Sequence, residues 1–395
     1  MPRQDEIRLD GAEGEGGGQI VRTALTCSML TGQAFRLENV RANRPTPGLK
    51  AQHLEAVRAA AEQVDAVVEG DRIGGEHLSF RPRTAVVGGS ELDVRIGTAG
   101  ATALVVQTLL LPLAFASSSS TNGAEVAPQR ARVRGGTHVA FAPSIHYLDE
   151  VFRHACEAFG LQFRLDLRRP GFFPKGGGDV MLEVVPLTPP ATVTQSKPGL
   201  VGIDWRKRGA LRDARVIIFS AGLQDRIVRR AANAVTGSLV GAQTPWLQSV
   251  RPHSIDGGAS SNPGGVVLAV ARWAKGAAGF QALAERGVPA ERLGQQPAEA
   301  LRQFVEPRAD DPHGDSSKSL PTVDAKLADQ LLLLAALAHG ESAFRTERVT
   351  QHLLTNASVL RRFLMCKIEI EGGDNDRHVL VHVVGTGYSA PSHRA

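Results

Sequence analysis

The sequence predicts an α/β protein: a large domain of three repeated α/β sandwich units, with a smaller α/β domain inserted before the third. Two observations carry this. Short runs that alternate apolar and polar residues, the period of a half-buried strand, are interleaved with segments of helical spacing, and their order recurs along the chain. Before the third recurrence the texture changes, starting at the Pro-rich stretch PLTPPATVTQSKPG. Layered units of this kind put helices on one face of a sheet and leave loops at the strand ends for a site.

Taken in order, the first helix is GQIVRTALTCSMLTG, closed by Gly32, followed by the strand FRLE from Phe35 and the helix LKAQHLEAVRAAAEQV. After LDVRI from Leu92 come TALVVQTLLLPLAF, then IHYLDEVFRHACEAFG, closed by Gly160, and the strand FRLDLR from Phe163. Up to about residue 187 this reads helix, strand, helix, strand, strand, and then the same again. The third unit holds DAKLADQLLLLAALAHG, closed by Gly340, then SAFRTERV, a helix after His352, KIEIE from Lys367, and HVLVHVV. Residues 1–187 and 285–395 thus form the large domain. The insert, 188–284, has its own strand candidates, RVIIF and GGVVLAVARW, and a helix candidate, LQDRIVRRAANAV. The polar segment PRADDPHGDSSKS, near 307–319, reads as a mobile loop, and the tail GTGYSAPSHRA as disordered.

The bulk numbers exclude several classes. The chain starts MPRQDEIRLD, without the apolar stretch of a secretory signal, and its longest apolar run, ATALVVQTLLLPLAFA from Ala101, is interrupted by Gln107 and Pro112. No membrane attachment is expected. Cys27, Cys156 and Cys366, odd in number and widely spaced, fit neither a disulfide framework nor a zinc site and point to a reducing compartment, cytoplasmic or nuclear. The net charge of +5 arises from 45 basic and 40 acidic residues spread over the chain, which permits a nucleic-acid partner without arguing for one. Arginine clusters at 41 and 44, at 130, 132 and 134, at 168 and 169, and at 206–208 (with Lys207) read individually as solvated faces.

Five stretches hold candidate chemistry. In GEGGGQIVR, residues 14–22, glycines open a helix whose free N–H groups favour an anion, although a tight turn also fits the glycines. It is neither a P-loop nor a dinucleotide turn. Glu15 beside a phosphate would repel it unless a divalent cation lay between them, which makes Glu15 a magnesium-ligand candidate; Arg22 alone reads as a surface ion pair. In RANRPTPGLKAQH, Arg41 and Arg44 have the fork that suits phosphate, and Gln52 and His53 follow on the next helix. Gln107 is a polar side chain on an otherwise apolar helix, satisfying backbone locally or reading a ligand edge. RRPGFFPKGGGDV reads as a turn between two strands. His352 at a helix entrance is by itself more often a cap than a nucleophile.

Together, GEGGGQIVRTAL, RANRPTPGLKAQHL, GTAGATALVVQTLLLP, RGGTHVAFAPSIHY, PGFFPKGGGDV, KLADQLLL and HLLTNASVLRRFL closely resemble the RNA 3'-terminal phosphate cyclase family, in its order and over nearly the whole chain outside the insert. The resemblance implies the three-repeat architecture with its insert, and ATP-dependent conversion of an RNA 3'-phosphate end to a 2',3'-cyclic phosphodiester. It implies that His352, opening H-x-x-T-N, is adenylylated. It implies further that Arg22, Arg44 and Gln52 serve phosphate and RNA, and that Glu15 holds Mg2+ or Mn2+. Gln107, Pro143 and the segment Lys326, Leu327, Ala328, Asp329 and Gln330 would line the nucleotide pocket, with Pro143 packed on one adenine face. Lys326 departs from the family pattern, which commonly has an aromatic residue there to stack on the other face; a lysine stem covers a base only partly.

Two other readings compete. Cyclase-like relatives that lack the catalytic histidine act in ribosome assembly; His352, Glu15, Arg22 and the KLADQ segment argue against that role. An ATP-dependent ligase that joins RNA ends shares the adenylylation step and differs in product.

Overall fold

The computed structural model describes residues 6–86, 88–89, 91–116, 127–187, 199–306, 320–372 and 379–389. The loop expected at 307–319 and most of the Pro-rich stretch that opens the insert lie outside the described residues, as does the end of the tail.

The first repeat runs β1 (Ile7–Asp10), α1 (Gln19–Thr31), β2 (Phe35–Glu38), α2 (Ala51–Gln63), β3 (Val67–Glu69), β4 (Leu78–Arg81). The second runs β5 (Leu92–Arg95), α3 (Thr102–Ala114), β6 (Gln129–Gly135), then α4 (Ile145–Tyr147), which passes through a π turn (Leu148–Phe152) into α5 (Arg153–Ala158), and then β7 (Phe163–Arg169) and β8 (Gly178–Val184). Their sheets have the orders β1-β2-β4-β3 and β5-β6-β8-β7. In each, the first two strands are parallel and the other neighbours antiparallel. Each of these repeats therefore begins with a strand ahead of its first helix; β5 was read in LDVRI, whereas β1 was not.

β9 (Asp204–Trp205) is the corresponding first strand of the third repeat. It is separated from the rest by the insert: β10 (Leu211–Ala221), α6 (Asp225–Leu239), α7 (Pro245–Ser249), β11 (Pro252–Asp256), β12 (Gly264–Trp273), β13 (Gly276–Leu283) and α8 (Ala290–Val305). The repeat resumes with α9 (Ala325–Leu337), β14 (Glu341–Thr346), α10 (Gln351–Phe363), β15 (Lys367–Glu371) and β16 (Val379–Val384). Its sheet, β15-β16-β14-β9, is the same arrangement read from the other edge. β9 pairs in parallel with β14, so it belongs to the large domain. At the other end, Leu293, Ala298, Leu301 and Phe304 of α8 share a core with Val216, Val235 and Val267. By pairing β9 goes with β14, and by core membership α8 goes with the strands read as the insert.

The seam between repeats is apolar. Leu25 and Met29 of α1, Leu109 of α3, Leu331 of α9 and Leu360 of α10 all sit in one buried cluster that also takes Phe35, Phe80 and Phe344 from the sheets. The arginines of β6 face acids across the sheet: Arg130 meets Glu183, Arg132 meets Asp179 and Arg134 meets Asp93. Arg208 is structural, its guanidinium 4.5 Å from the Trp273 ring centre and 4.6 Å from that of Phe304. The start of the tail, expected to be disordered, is fixed by Tyr388, whose ring meets Phe115 at 4.9 Å and whose hydroxyl donates to the Leu30 carbonyl.

Phe344 is completely buried in the third sheet. Phe344→Ala is expected to cost about 3–5 kcal/mol, read in urea denaturation; an unchanged transition would contradict its place in the common core.

Candidate active site

Helices from different repeats bring the site together. α1 starts at Gly18 with no side-chain cap and no acid in its first turn, leaving its positive end open to an anion. The loop before it lies against α10: the Glu15 N–H donates to Thr355 Oγ1 at 3.2 Å. Gly14 has φ +60, and a Cβ there would sit 2.3 Å from that same oxygen, so only glycine lets the loop lie so close. Behind the loop, a Cβ on Gly18 would fall 2.3 Å from His53 Nε2. His53 is buried, and burial, with Arg22, Arg41 and Lys50 adding to it, pushes its imidazole down to about 3, so it is a neutral wall.

α10 is capped by Thr350, whose hydroxyl accepts from the Leu353 N–H at 3.0 Å, and this places His352 in the first turn. His352 Nδ1 lies 2.7 Å from Glu15 Oε2, with the His352 side chain 45% exposed and that of Glu15 12%. Both atoms are buried and neither makes an aligned hydrogen bond, so the contact is electrostatic proximity. The other Glu15 oxygen pairs with Arg44. Arg41, by contrast, is spent on the turn, its Nη1 donating to the carbonyls of Thr46 and Gly48 at 2.8 and 2.7 Å.

One turn beyond His352, the Asn356 side chain ties three helices. Its Oδ1 accepts from Gln19 Nε2 at 2.9 Å and from Thr23 Oγ1 at 2.6 Å, and its Nδ2 donates to the Asp329 carbonyl at 3.0 Å. Gln19 in turn accepts from Arg22. Arg22, Asp329 and His352 thereby share one electrostatic neighbourhood. Burial lowers Arg22 to about 10, against the pull of Asp329, so it stays cationic at neutral pH. Burial pushes the Asp329 carboxyl up to about 7, opposed by His352 and Arg22. Burial also holds His352 below the ordinary imidazole value, with Asp329 opposing and Arg22 and Arg44 reinforcing.

Of the residues singled out in sequence, Glu15, Arg22, Arg44, Asp329 and His352 converge. Lys326 is exposed at the start of α9, and Gln330 Oε1 is a buried oxygen without a hydrogen-bond partner among the described residues. Leu327 and Ala328 are 0% and 1% exposed, so their side chains belong to the core and the polar edge falls to their neighbours. Gln52 is committed elsewhere: its Oε1 accepts from the Ala101 N–H at 2.8 Å, joining α2 to the start of α3. Gln107 is half-buried on α3, next to Thr108, whose carbonyl accepts from Thr26 of α1 at 2.9 Å. Pro143 is buried in the turn before α4. The sequence reading gave no role to Asn356, Thr355 or Gln19, whose only local signal is position: Asn356 stands four residues after His352, on the same helical face.

A sequence profile of the RNA 3'-terminal phosphate cyclase family matches residues 13–370. The chain belongs to this family. Curated proteins named RNA 3'-terminal phosphate cyclase are similar to it along most of their length. That of Ralstonia nicotianae is 37% identical over 377 residues, covering 95% of this chain and 97% of its own. That of Archaeoglobus fulgidus is 37% identical over 367 residues, covering 93% and 98%. That of Gloeothece citriformis is 36% identical over 370 residues, covering 92% and 95%. Among solved structures, the enolpyruvyl transferase NikO from Streptomyces tendae aligns with 97% of this chain and 49% of its own at 15% identity, but its TM-score of 0.36 carries no argument. No helix among the described residues is long and apolar enough to cross a membrane.

The raised Asp329 carboxyl has a consequence for this cyclase-family fold. Because folding lifts it above its unfolded value of 3.8, the stability it contributes is present below about pH 4 and is lost as pH rises through about 7. Asp329→Asn removes that dependence. Its melting temperature relative to the unsubstituted chain is expected to rise from pH 4 to pH 8, and a flat difference would show that Asp329 titrates as an ordinary surface carboxylate.

Proposed function

We propose that the chain converts an RNA 3'-terminal phosphate to a 2',3'-cyclic phosphodiester at the expense of ATP, through adenylylation of His352. The observation that carries this reading is His352 itself. Its ring is partly open to solvent, its imidazole is held neutral, and its Nδ1 is turned to a carboxylate beside two arginines. With Nδ1 turned to Glu15, Nε2 is the ring nitrogen left for attack.

In the first step Nε2 attacks the α-phosphorus of ATP, a P–N bond forms, the α–β bridging P–O bond breaks and pyrophosphate leaves. The Glu15 carboxylate balances the charge that develops on the imidazole. Next, an oxygen of the RNA 3'-phosphate attacks the same phosphorus and the P–N bond breaks, which restores neutral His352 and leaves an RNA-adenylate. The neighbouring 2'-OH then attacks the 3'-phosphorus, loses its proton to solvent and expels AMP, an intramolecular displacement that needs little further ordering. Arg22, Arg44 and the open end of α1 offset the charge of two converging phosphates.

A divalent cation, Mg2+ or Mn2+, fits one part of this site. Glu15 Oε2 is a buried carboxylate oxygen with no aligned hydrogen bond. No cluster of three or more His, Cys, Asp or Glu among the described residues is arranged to cage a metal. Glu15 is the residue of this chain that would hold such a cation. When bound it supplies charge neutralisation at the phosphates. The orphaned Gln330 Oε1 suits an amino edge of the base, with Asp329 and Lys326 beside it. Pro143 and Gln107 are placed by the resemblance alone, and Gln52 retains at most its amide N–H group for RNA.

Incubation with ATP labelled at the α-phosphate is expected to label the chain covalently, and His352→Ala to lower that label by at least about a thousandfold. A 3'-phosphorylated oligonucleotide should yield a cyclic phosphate. A joined strand would support a ligase, and no label with any metal would favour an assembly role. Glu15→Ala is expected to lower metal-dependent labelling by about a hundredfold while RNA binding changes less than about threefold; equal losses would count against a metal role.

A further inference from the structure

The edge strand of the insert touches both expected walls of the nucleotide pocket. β13 is the last strand in the order β11-β10-β12-β13, an edge that would otherwise present unpaired N–H and C=O groups. Here the large domain covers it, through three residues spaced by two. Ala277 forms a parallel bridge with Val323, which itself bridges to Thr346 at the end of β14. The Gly279 N–H donates to Asp324 Oδ2 at 2.9 Å. The Gln281 amide clasps the peptides on either side of Pro143: its Oε1 accepts from the Ser144 N–H at 3.0 Å and its Nε2 donates to the Ala142 carbonyl at 3.0 Å. Ala277 and Gly279 make their contacts through backbone groups on the free edge of β13, and Gln281, two residues on, extends the seam with its side chain.

Asp324 is the other end of the clasp. It caps α9, its Oδ1 accepting from the Lys326 and Leu327 N–H groups at 2.9 and 3.1 Å. It also accepts from the Tyr147 hydroxyl, 2.9 Å from Oδ1 and 3.0 Å from Oδ2. One buried carboxylate thus joins the second repeat, the insert and the third repeat. Gly279 makes the approach feasible, since a Cβ there would lie 2.6 Å from Val151 Cγ2 and 3.0 Å from the Tyr147 ring.

We propose that Gln281 and Asp324 are positioning residues: through β13 they fix the gap between the Pro143 turn and the Lys326–Gln330 segment, and so set the affinity and base selectivity of the nucleotide site. This rests on the adenylylation reading above. A base held between two surfaces needs a gap of about 7 Å, twice a van der Waals contact of about 3.5 Å, and a radial error of 0.5–1 Å forfeits roughly a quarter to a half of the attraction. With a lysine in place of an aromatic ring at 326, little stacking area compensates for a poor gap. The insert thereby acquires a part in ATP recognition although the chemistry lies on other elements.

The experiment is self-labelling of the full chain with α-labelled ATP, followed against ATP concentration, for Gln281→Leu, Asp324→Asn and the milder Tyr147→Phe. Gln281→Leu and Asp324→Asn are expected to raise the KM for ATP about tenfold, Tyr147→Phe about threefold, with the rate at saturating ATP within about twofold of the unsubstituted chain. Discrimination against GTP should fall in parallel. Val235→Ala, in the insert core, is the control for lost stability and should leave KM unchanged. An unaltered KM and selectivity in Gln281→Leu overturns the proposal, as does a KM rise matched by the control. Failure of the adenylylation reading appears separately, as absence of label on the unsubstituted chain. Calorimetric titration of ATP into the same variants then still decides whether the clasp sets affinity.

Discussion

The site depends on one buried amide. Asn356 sits on the helix that carries His352, holds the first-repeat helix through Gln19 and Thr23, and holds the third-repeat helix α9 through the Asp329 carbonyl. α1 lies about 300 residues from the other two helices in the chain, and apolar packing alone resists sliding only weakly, because Leu and Ala surfaces are similar from turn to turn. A buried amide with directional partners removes that freedom: leaving such groups unpaired costs about 1–3 kcal/mol each. His352 is thereby registered against Glu15, Arg22 and the open end of α1.

The same logic explains why the electrostatics are unusual. Arg22, Asp329 and His352 are crowded where burial opposes every charge, so each shifts toward its neutral form. The arginine remains charged, the histidine is kept as a neutral base, and the carboxyl is poised near neutrality. Perturbed groups concentrated in this way mark functional sites more often than structural ones. The proposed reaction, which brings two phosphates together, would benefit, since the arginines keep their charge.

Much of this was legible in the sequence. Helix spacing and glycine stops found α1, α2, α3, α9 and α10, because those segments are long and strongly periodic. β12, GGVVLAVARW, was read with its true bounds. β13 escaped, since GAAGFQAL opens on four small residues, all buried, so it shows no alternation there. α8 escaped because Gly294 and Pro297 interrupt it; Gly294 is required where a Cβ would come within 2.1 Å of the Ala231 carbonyl oxygen of α6. β9 is two residues long and carries no signal of its own, so it was not read. At the site, the roles expected of Glu15, Arg22, Arg44, Gln52 and His352 followed from the family resemblance, and the bond from the Ala101 N–H to Gln52 Oε1, which joins α2 to α3, was not read. Partnerships across more than 300 residues, such as Gln19 with Asn356, have no local pattern to betray them.

The most direct test of the account is where AMP becomes attached. After brief incubation with ATP and Mg2+, peptide mapping by mass spectrometry is expected to find one adenylylated peptide, the one containing His352, with an acid-labile and base-stable linkage as a P–N bond requires. An adduct on Lys326 or another lysine, or an acid-stable linkage, would contradict it.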